Sequence, residues 1–211
     1  MAQAPARIET EADLAAGAAV LVARAPCFAP VLAAVGPLPL RRRPDGFPAL
    51  LSAIVGQQVS TASAAAILGR LEAAGLAEEG AAAAASEEAL RACGLSRPKI
   101  RYVRALAAAR LDYGALRAAD TETVVATLTA LPGIGRWTAE IYAKFALGHA
   151  DAFAAGDLAL QVAAARAFDL PARPSEPALR EMAAAWSPVR AVAARALWAY
   201  YRLDTGREGS L

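Results

Sequence analysis

Apolar residues recur at helical spacing along almost the whole chain, and runs in which β-branched residues alternate are nearly absent. A strand needs a two-residue period and an amphipathic helix one near 3.6, so the pattern selects an all-α fold with no sheet of consequence. Alanine, the strongest helix former, is everywhere, and Gly and Pro punctuate at short intervals. The spacing predicts helices near 11–24, 46–56, 60–74, 86–93, 97–110, 121–130, 135–147, 158–168, 176–186 and 188–204. Residues 80–85 read as a loop or a helix start. Ser187 followed by Pro188 reads as a cap plus a first-turn proline, and Asp120, Thr121 and Glu122 place acceptors and negative charge at a helix start. Gly75, Gly94, Gly114 and Gly148 read as stops.

With 211 residues, 57% of them hydrophobic, the chain can bury a substantial core, which excludes disorder as its main state. Lys and Arg number 22 against 20 Asp and Glu, so any contact with nucleic acid must be local. The one run of like charge, Arg41, Arg42 and Arg43, reads as a solvated linker or as a phosphate contact.

Two Cys and one His exclude a zinc site built from those residues alone and an iron-sulfur cluster, each of which needs four ligands. Cys27 and Cys93 are expected as reduced, buried thiols. His149 would have to serve any Ser/His/Asp or Cys/His chemistry, and its place after Gly148 suggests a capping or surface role instead. The acidic start, Glu9, Glu11 and Asp13, is unlike a secretory signal, and the apolar runs fall short of the roughly 20 residues that span a bilayer. The expectation is a soluble, cytoplasmic protein without membrane contact.

Residues 121–147 read TETVVATLTALPGIGRWTAEIYAKFAL: a helix, a very tight glycine turn and a second helix. Two glycines at spacing two permit positive φ and close approach of another backbone, while the N–H groups that open the second helix suit a phosphate. The string LPGIGRWTA between two helices resembles the helix-hairpin-helix motif of DNA repair proteins. IVGQQVS at 54–60, LSRPKIRYVRALA at 95–107, LPGIGRWTAEIYA at 131–143, GDLALQ at 156–161 and WSPVRAVAARALW at 186–198 extend that resemblance. Together they resemble the helix-hairpin-helix DNA glycosylases, and within them the 3-methyladenine (alkylpurine) glycosylase II branch.

The resemblance implies a compact two-lobed helical bundle: one lobe from the N- and C-terminal helices, the other from residues of roughly 50–150. In linear terms it implies an N-terminal helical extension over 1–45, a catalytic domain over 46–204 and a tail over 205–211. The residues ahead of the matched region are too short and too helical for the sheet-containing domain that longer relatives carry there.

The same resemblance implies site residues. Asp157 opens an apolar helix about 20 residues after the hairpin, where the superfamily places its catalytic aspartate; the residues alone favour a plain N-cap. Such a carboxylate stabilises an oxocarbenium-like sugar or orients water. Ala155 stands where relatives often have proline. Trp137 and Trp198 match aromatic pocket positions, where an indole face stacks on a cationic purine, whereas Trp186 reads as core. Ile141 and Leu158 are aliphatic where some relatives have tyrosine. Gln58, or else Gln57, is expected as the wedge that replaces an extruded nucleotide, or as an amide that satisfies the loop backbone. Gly133, Gly135 and the start of the helix at Arg136 are expected to hold phosphate through N–H groups, with Thr138 as a hydroxyl donor. The carbonyls of Thr129, Leu131 and Ile134 are expected to hold a monovalent ion, Na or K. No other cofactor is required.

Arg97, Lys99, Arg101 and Arg104 read as a solvated basic face or as further DNA contacts, and Arg190 as either structural or near the site. Strand-cleaving relatives carry a nucleophilic lysine where Trp137 stands, and the chain has only Lys99 and Lys144. The implied activity is that of a monofunctional glycosylase that flips a damaged purine out of double-stranded DNA and hydrolyses its N-glycosidic bond, acting as a monomer. A glycosylase for a deaminated or etheno base, and a noncatalytic helix-hairpin-helix DNA-binding protein, are the alternatives.

Overall fold

The computed structural model describes residues 3–205, and over them the chain forms thirteen helices with one isolated antiparallel bridge between Arg7 and His149. The chain divides into two compact units: Met1–Arg42 with Ala143–Leu211, and Arg43–Tyr142. No helix among the described residues is long and apolar enough to cross a membrane.

The first unit holds α1 (Glu11–Arg24), α2 (Phe28–Val35), α11 (Leu158–Ala167), α12 (Glu176–Ala184) and α13 (Arg190–Thr205), and α13 packs on α1, α2 and α11. Ala191, Val192, Ala193, Ala194, Ala196 and Leu197 are wholly buried there, because small side chains let helices approach from several sides. At Gly17 of α1 a Cβ would lie 2.7 Å from Cγ2 of Val192, so only glycine permits this crossing. Thr10 and Asp13 close a reciprocal capping box at the start of α1. Trp186 meets Phe28, Phe153 and Phe168 at ring-centroid separations of 5.0, 5.5 and 5.8 Å, as a core residue.

The second unit holds α3 (Phe47–Gly56), α4 (Thr61–Ala73), α5 (Glu79–Ala84), α6 (Glu87–Ala92), α7 (Arg97–Ala109), α8 (Tyr113–Ala118) and α9 (Thr121–Thr129), and α10 (Arg136–Phe145) starts in it. Around α7 pack α3, α5 and α6, on Ile100, Val103, Leu106 and Ala107.

Several expectations are corrected. The helices α2 and α8 were not foreseen: each is short, and Pro30 interrupts the pattern of the first. Residues 79–84 are helical, and Gly114 lies inside α8 instead of ending a helix. Gly75, Gly94 and Gly148 do adopt positive φ after helices. The last helix begins at Arg190, and its cap is remote: Arg190 N–H donates to Oδ1 of Asp151 at 3.3 Å and Ser187 Oγ donates to Oδ2 at 2.9 Å. His149 is buried, not on the surface; its N–H donates to Ala143 O at 3.0 Å where the N-terminal segment pairs with it. Cys27 is exposed and Cys93 buried, and both are free thiols. Lys99 is buried, not on a solvated face, and its Nζ donates to Val55 O at 2.7 Å, tying α7 to the end of α3. Apart from Thr205, which ends α13, the tail over 205–211 lies outside the described residues.

Tyr142 supplies a test by pH. Its buried hydroxyl accepts the Gly46 N–H at 3.1 Å, and burial raises its pKa above the ordinary 10.0. A raised folded-state value means that the phenol's contribution is fully present below pH 10 and is lost as pH climbs through 10 toward the folded value. Tyr142→Phe is expected to cost about 1 kcal/mol near pH 8. That deficit should shrink above pH 10 in urea melts; an equal deficit at both pH values would sink the assignment.

Candidate active site

In the second unit the hairpin is built from local hydrogen bonds. Leu131 N–H donates to Leu128 O at 3.1 Å, Ile134 N–H to Leu131 O at 3.2 Å, and Ala139 N–H to Gly135 O at 3.1 Å as α10 begins. Ile134 is buried and pins the turn to its own unit. Gly133 sits at φ 85, and a Cβ there would lie 2.8 Å from Cβ of Tyr102 and closer still to its ring. Gly135 faces open space: a Cβ would meet nothing within 4 Å, so its backbone is approachable from outside. The exposed turn and the first N–H groups of α10 form a surface suited to an anion.

The Arg136 side chain is committed elsewhere. Its Nε donates to Glu140 Oε1 at 2.9 Å and its Nη2 to both oxygens of Glu122 at 3.1 Å, bracing α9 against α10. Thr138 is buried, and Thr129 turns its hydroxyl to Val125 O at 2.7 Å. The Leu131 carbonyl accepts within the turn.

The structure joins two segments that the sequence presents separately. Gln57 Nε2 donates to Gly133 O at 2.7 Å, linking the loop between α3 and α4 to the hairpin turn. Gln58 then adopts φ 55, a left-handed backbone conformation costly for a residue with a side chain. Val59 beside it is exposed, and Ser60 caps α4 by accepting the Ser63 N–H. Trp137 and Ile141, four residues apart on α10, share a helix face; Trp137 is 37% exposed and Ile141 is buried.

In the first unit Asp157 caps α11. Its Oδ1 accepts the N–H groups of Ala159 at 2.9 Å and Leu160 at 3.3 Å, and the residue is only 3% exposed. Gln161, which sequence reasoning passed over, fixes the preceding loop by donating from Nε2 to Ala155 O at 2.9 Å. Its signal was an amide one turn into the helix with apolar neighbours on both sides. Leu158 projects from the same cap with 58% exposure. Arg190 and Asp151 form a two-bonded ion pair, Nε to Oδ1 and Nη2 to Oδ2 at 2.8 Å each, which fastens the start of α13.

Trp198 of α13 is 5% exposed. Phe145 stacks on it at 5.5 Å with an 18° interplanar angle, and Lys144 Nζ lies 3.5 Å from its ring centroid. The chain's two lysines are therefore both buried, one against a carbonyl and one against an indole.

Residues 51–188 match the model of the HhH-GPD superfamily base excision DNA repair protein. The crystal structure of a DNA-3-methyladenine glycosidase from Bacillus halodurans is similar at a TM-score of 0.83 and 33% identity, over 91% of this chain and 92% of that one. A probable bifunctional transcriptional activator/DNA repair enzyme AlkA of Mycobacterium tuberculosis is 41% identical over 108 residues, 49% of this chain and 21% of that protein. DNA-3-methyladenine glycosylase 1 of Schizosaccharomyces pombe is 29% identical over 161 residues, 71% of this chain and 69% of that protein. The match thus spans about a fifth of the mycobacterial relative's length.

Proposed function

The chain belongs to the HhH-GPD superfamily of base excision DNA repair proteins, and we propose that it is a monofunctional DNA glycosylase that releases alkylated purines from double-stranded DNA. The observation that carries this reading is Asp157, a buried carboxylate fixed by two backbone N–H groups at the mouth of α11. Helix N–H groups and a fixed rotamer hold such an acid ready to offset positive charge that develops on a sugar as its glycosidic bond breaks, or to orient water at the anomeric carbon. With Lys99 and Lys144 both buried, no exposed lysine amine is at hand for Schiff-base chemistry, which supports hydrolysis without strand cleavage.

The same reading assigns the remaining roles. In the second unit Trp137 offers an accessible indole for a flipped base, with Ile141 on its own helix face; in the first unit Leu158 and Trp198 are the candidates for base contact. Gln58, on its strained backbone, is the wedge, and Gln57 positions it against the hairpin. The N–H groups of Gly133, Gly135 and Arg136 would receive phosphate, with the buried Thr138 hydroxyl as a weaker contributor. The carbonyls of Thr129, Leu131 and Ile134 form an uncharged donor set, which suits Na or K better than a divalent ion, and an ion there would neutralise phosphate charge. Action as a monomer, in the cytoplasm or on the nucleoid, fits this reading.

Lys144 favours a second substrate reading. An ammonium 3.5 Å from the Trp198 ring centroid already uses the attraction that would draw a cationic purine there, so a neutral deaminated or etheno base suits that wall better. Incubation with methylated, deaminated and etheno-containing duplexes, with chromatography of freed bases, separates the two. Free alkylpurine, and strand breaks only after alkali, are expected. Breaks before alkali would overturn the monofunctional assignment, and release from none of the duplexes would leave a DNA-binding role.

A further inference from the structure

The arginine run at 41–43 has no part in the site above, yet Arg41 reaches a recess of the first unit whose other charged walls are Arg195 and Arg202, over a floor of Phe145 and Trp198. No carboxylate lines it among the described residues. Arg195 is 1% exposed. It donates from Nη1 to Ala191 O at 3.1 Å and from Nη2 to Leu40 O at 3.4 Å, and it forms no ion pair among the described residues. Its Nε and the Nε1 of Trp198 are buried N–H donors with no acceptor there. Both residues line the same recess, so what is unmatched at this place is uniformly of donor character.

A buried guanidinium without a counter-charge is costly, and here its neighbours worsen the cost. Burial first, then Arg42 and Arg41, pull the Arg195 pKa down to about 10, which still leaves it cationic at neutral pH. Arg41 itself adopts φ 44, a strained backbone conformation, and lines this recess. The free volume of about 10 Å³ admits roughly one oxygen-sized group, with the mouth open beyond it. An anion whose charge arrives on a projecting oxygen fits that shape.

We propose that the recess of Arg41 and Arg195 binds a phosphate oxyanion, one oxygen entering toward Arg195 Nε and Trp198 Nε1 while Arg41 holds the group at the mouth. The phosphate belongs either to a DNA backbone or to a free ion, and the site does not depend on the glycosylase reading.

The test is the thermal midpoint of the whole chain titrated with inorganic phosphate against chloride at equal ionic strength. Phosphate should raise the wild-type midpoint, and the rise should vanish in Arg195→Met, which keeps the apolar stem, and in the surface variant Arg41→Gln. Binding to undamaged duplex against salt then identifies the source. A log–log slope about 1 smaller in both variants assigns the group to a DNA phosphate, and an unchanged slope with loss of the phosphate response assigns it to a free ion. A phosphate response that persists in both variants, or a wild type indifferent to phosphate with unchanged slopes, would overturn the proposal.

Discussion

Replacing Asp157 by Asn is expected to lower the rate of base release by about 10²–10⁴-fold while the protein keeps its fold and its affinity for duplex. The side-chain amide oxygen of Asn can still accept from Ala159 and Leu160, the two N–H groups that Asp157 Oδ1 satisfies, so the cap on α11 survives. What disappears is the negative charge beside the reacting sugar. Asp157→Ala tests the cap itself and should cost about 1 kcal/mol in addition. Measured single-turnover rates for Asp157→Asn that equal the wild type would reduce Asp157 to a helix cap and remove it from the mechanism.

The second large effect is expected at the hairpin. Gly133→Ala should destabilise the protein by about 2–4 kcal/mol, from a positive φ that alanine resists and from overlap with the Tyr102 ring. The two causes separate in the double variant, because Tyr102→Ala removes the overlap and leaves the backbone strain. Partial recovery of the midpoint in urea is the expected result, together with weakened duplex binding in Gly133→Ala, since the turn carries the outward N–H groups of Gly135 and α10. Unaltered stability in the single variant would contradict the packing of Tyr102 under the turn.

The helix pattern and the hairpin were legible in the sequence because both are local. The first helix runs over 11–24 as its periodicity predicts, and the backbone hydrogen bonds that form the LPGIG turn span no more than four residues. Asp157 as a cap was legible for the same reason, since its partners lie two and three residues ahead. Short helices escaped because α2 and α8, at 8 and 6 residues, hold too few turns for a period to show. At Ser187 and Pro188 a local cap signal was misleading: the groups that open α13 find their acceptor in Asp151, 39 residues away from Arg190.

The sequence by itself determined an all-α chain, the glycine turn between α9 and α10, and an acid at the start of α11, all properties of neighbouring residues. Only the tertiary structure decided the rest. It joined α1 and α2 with α11, α12 and α13 in one unit, set Gln57 on the Gly133 carbonyl, buried Lys99, His149 and Lys144, and brought Arg41 to Arg195. Those outcomes depend on which distant segments meet, and a hydrophobic period specifies that a face is buried without specifying what covers it.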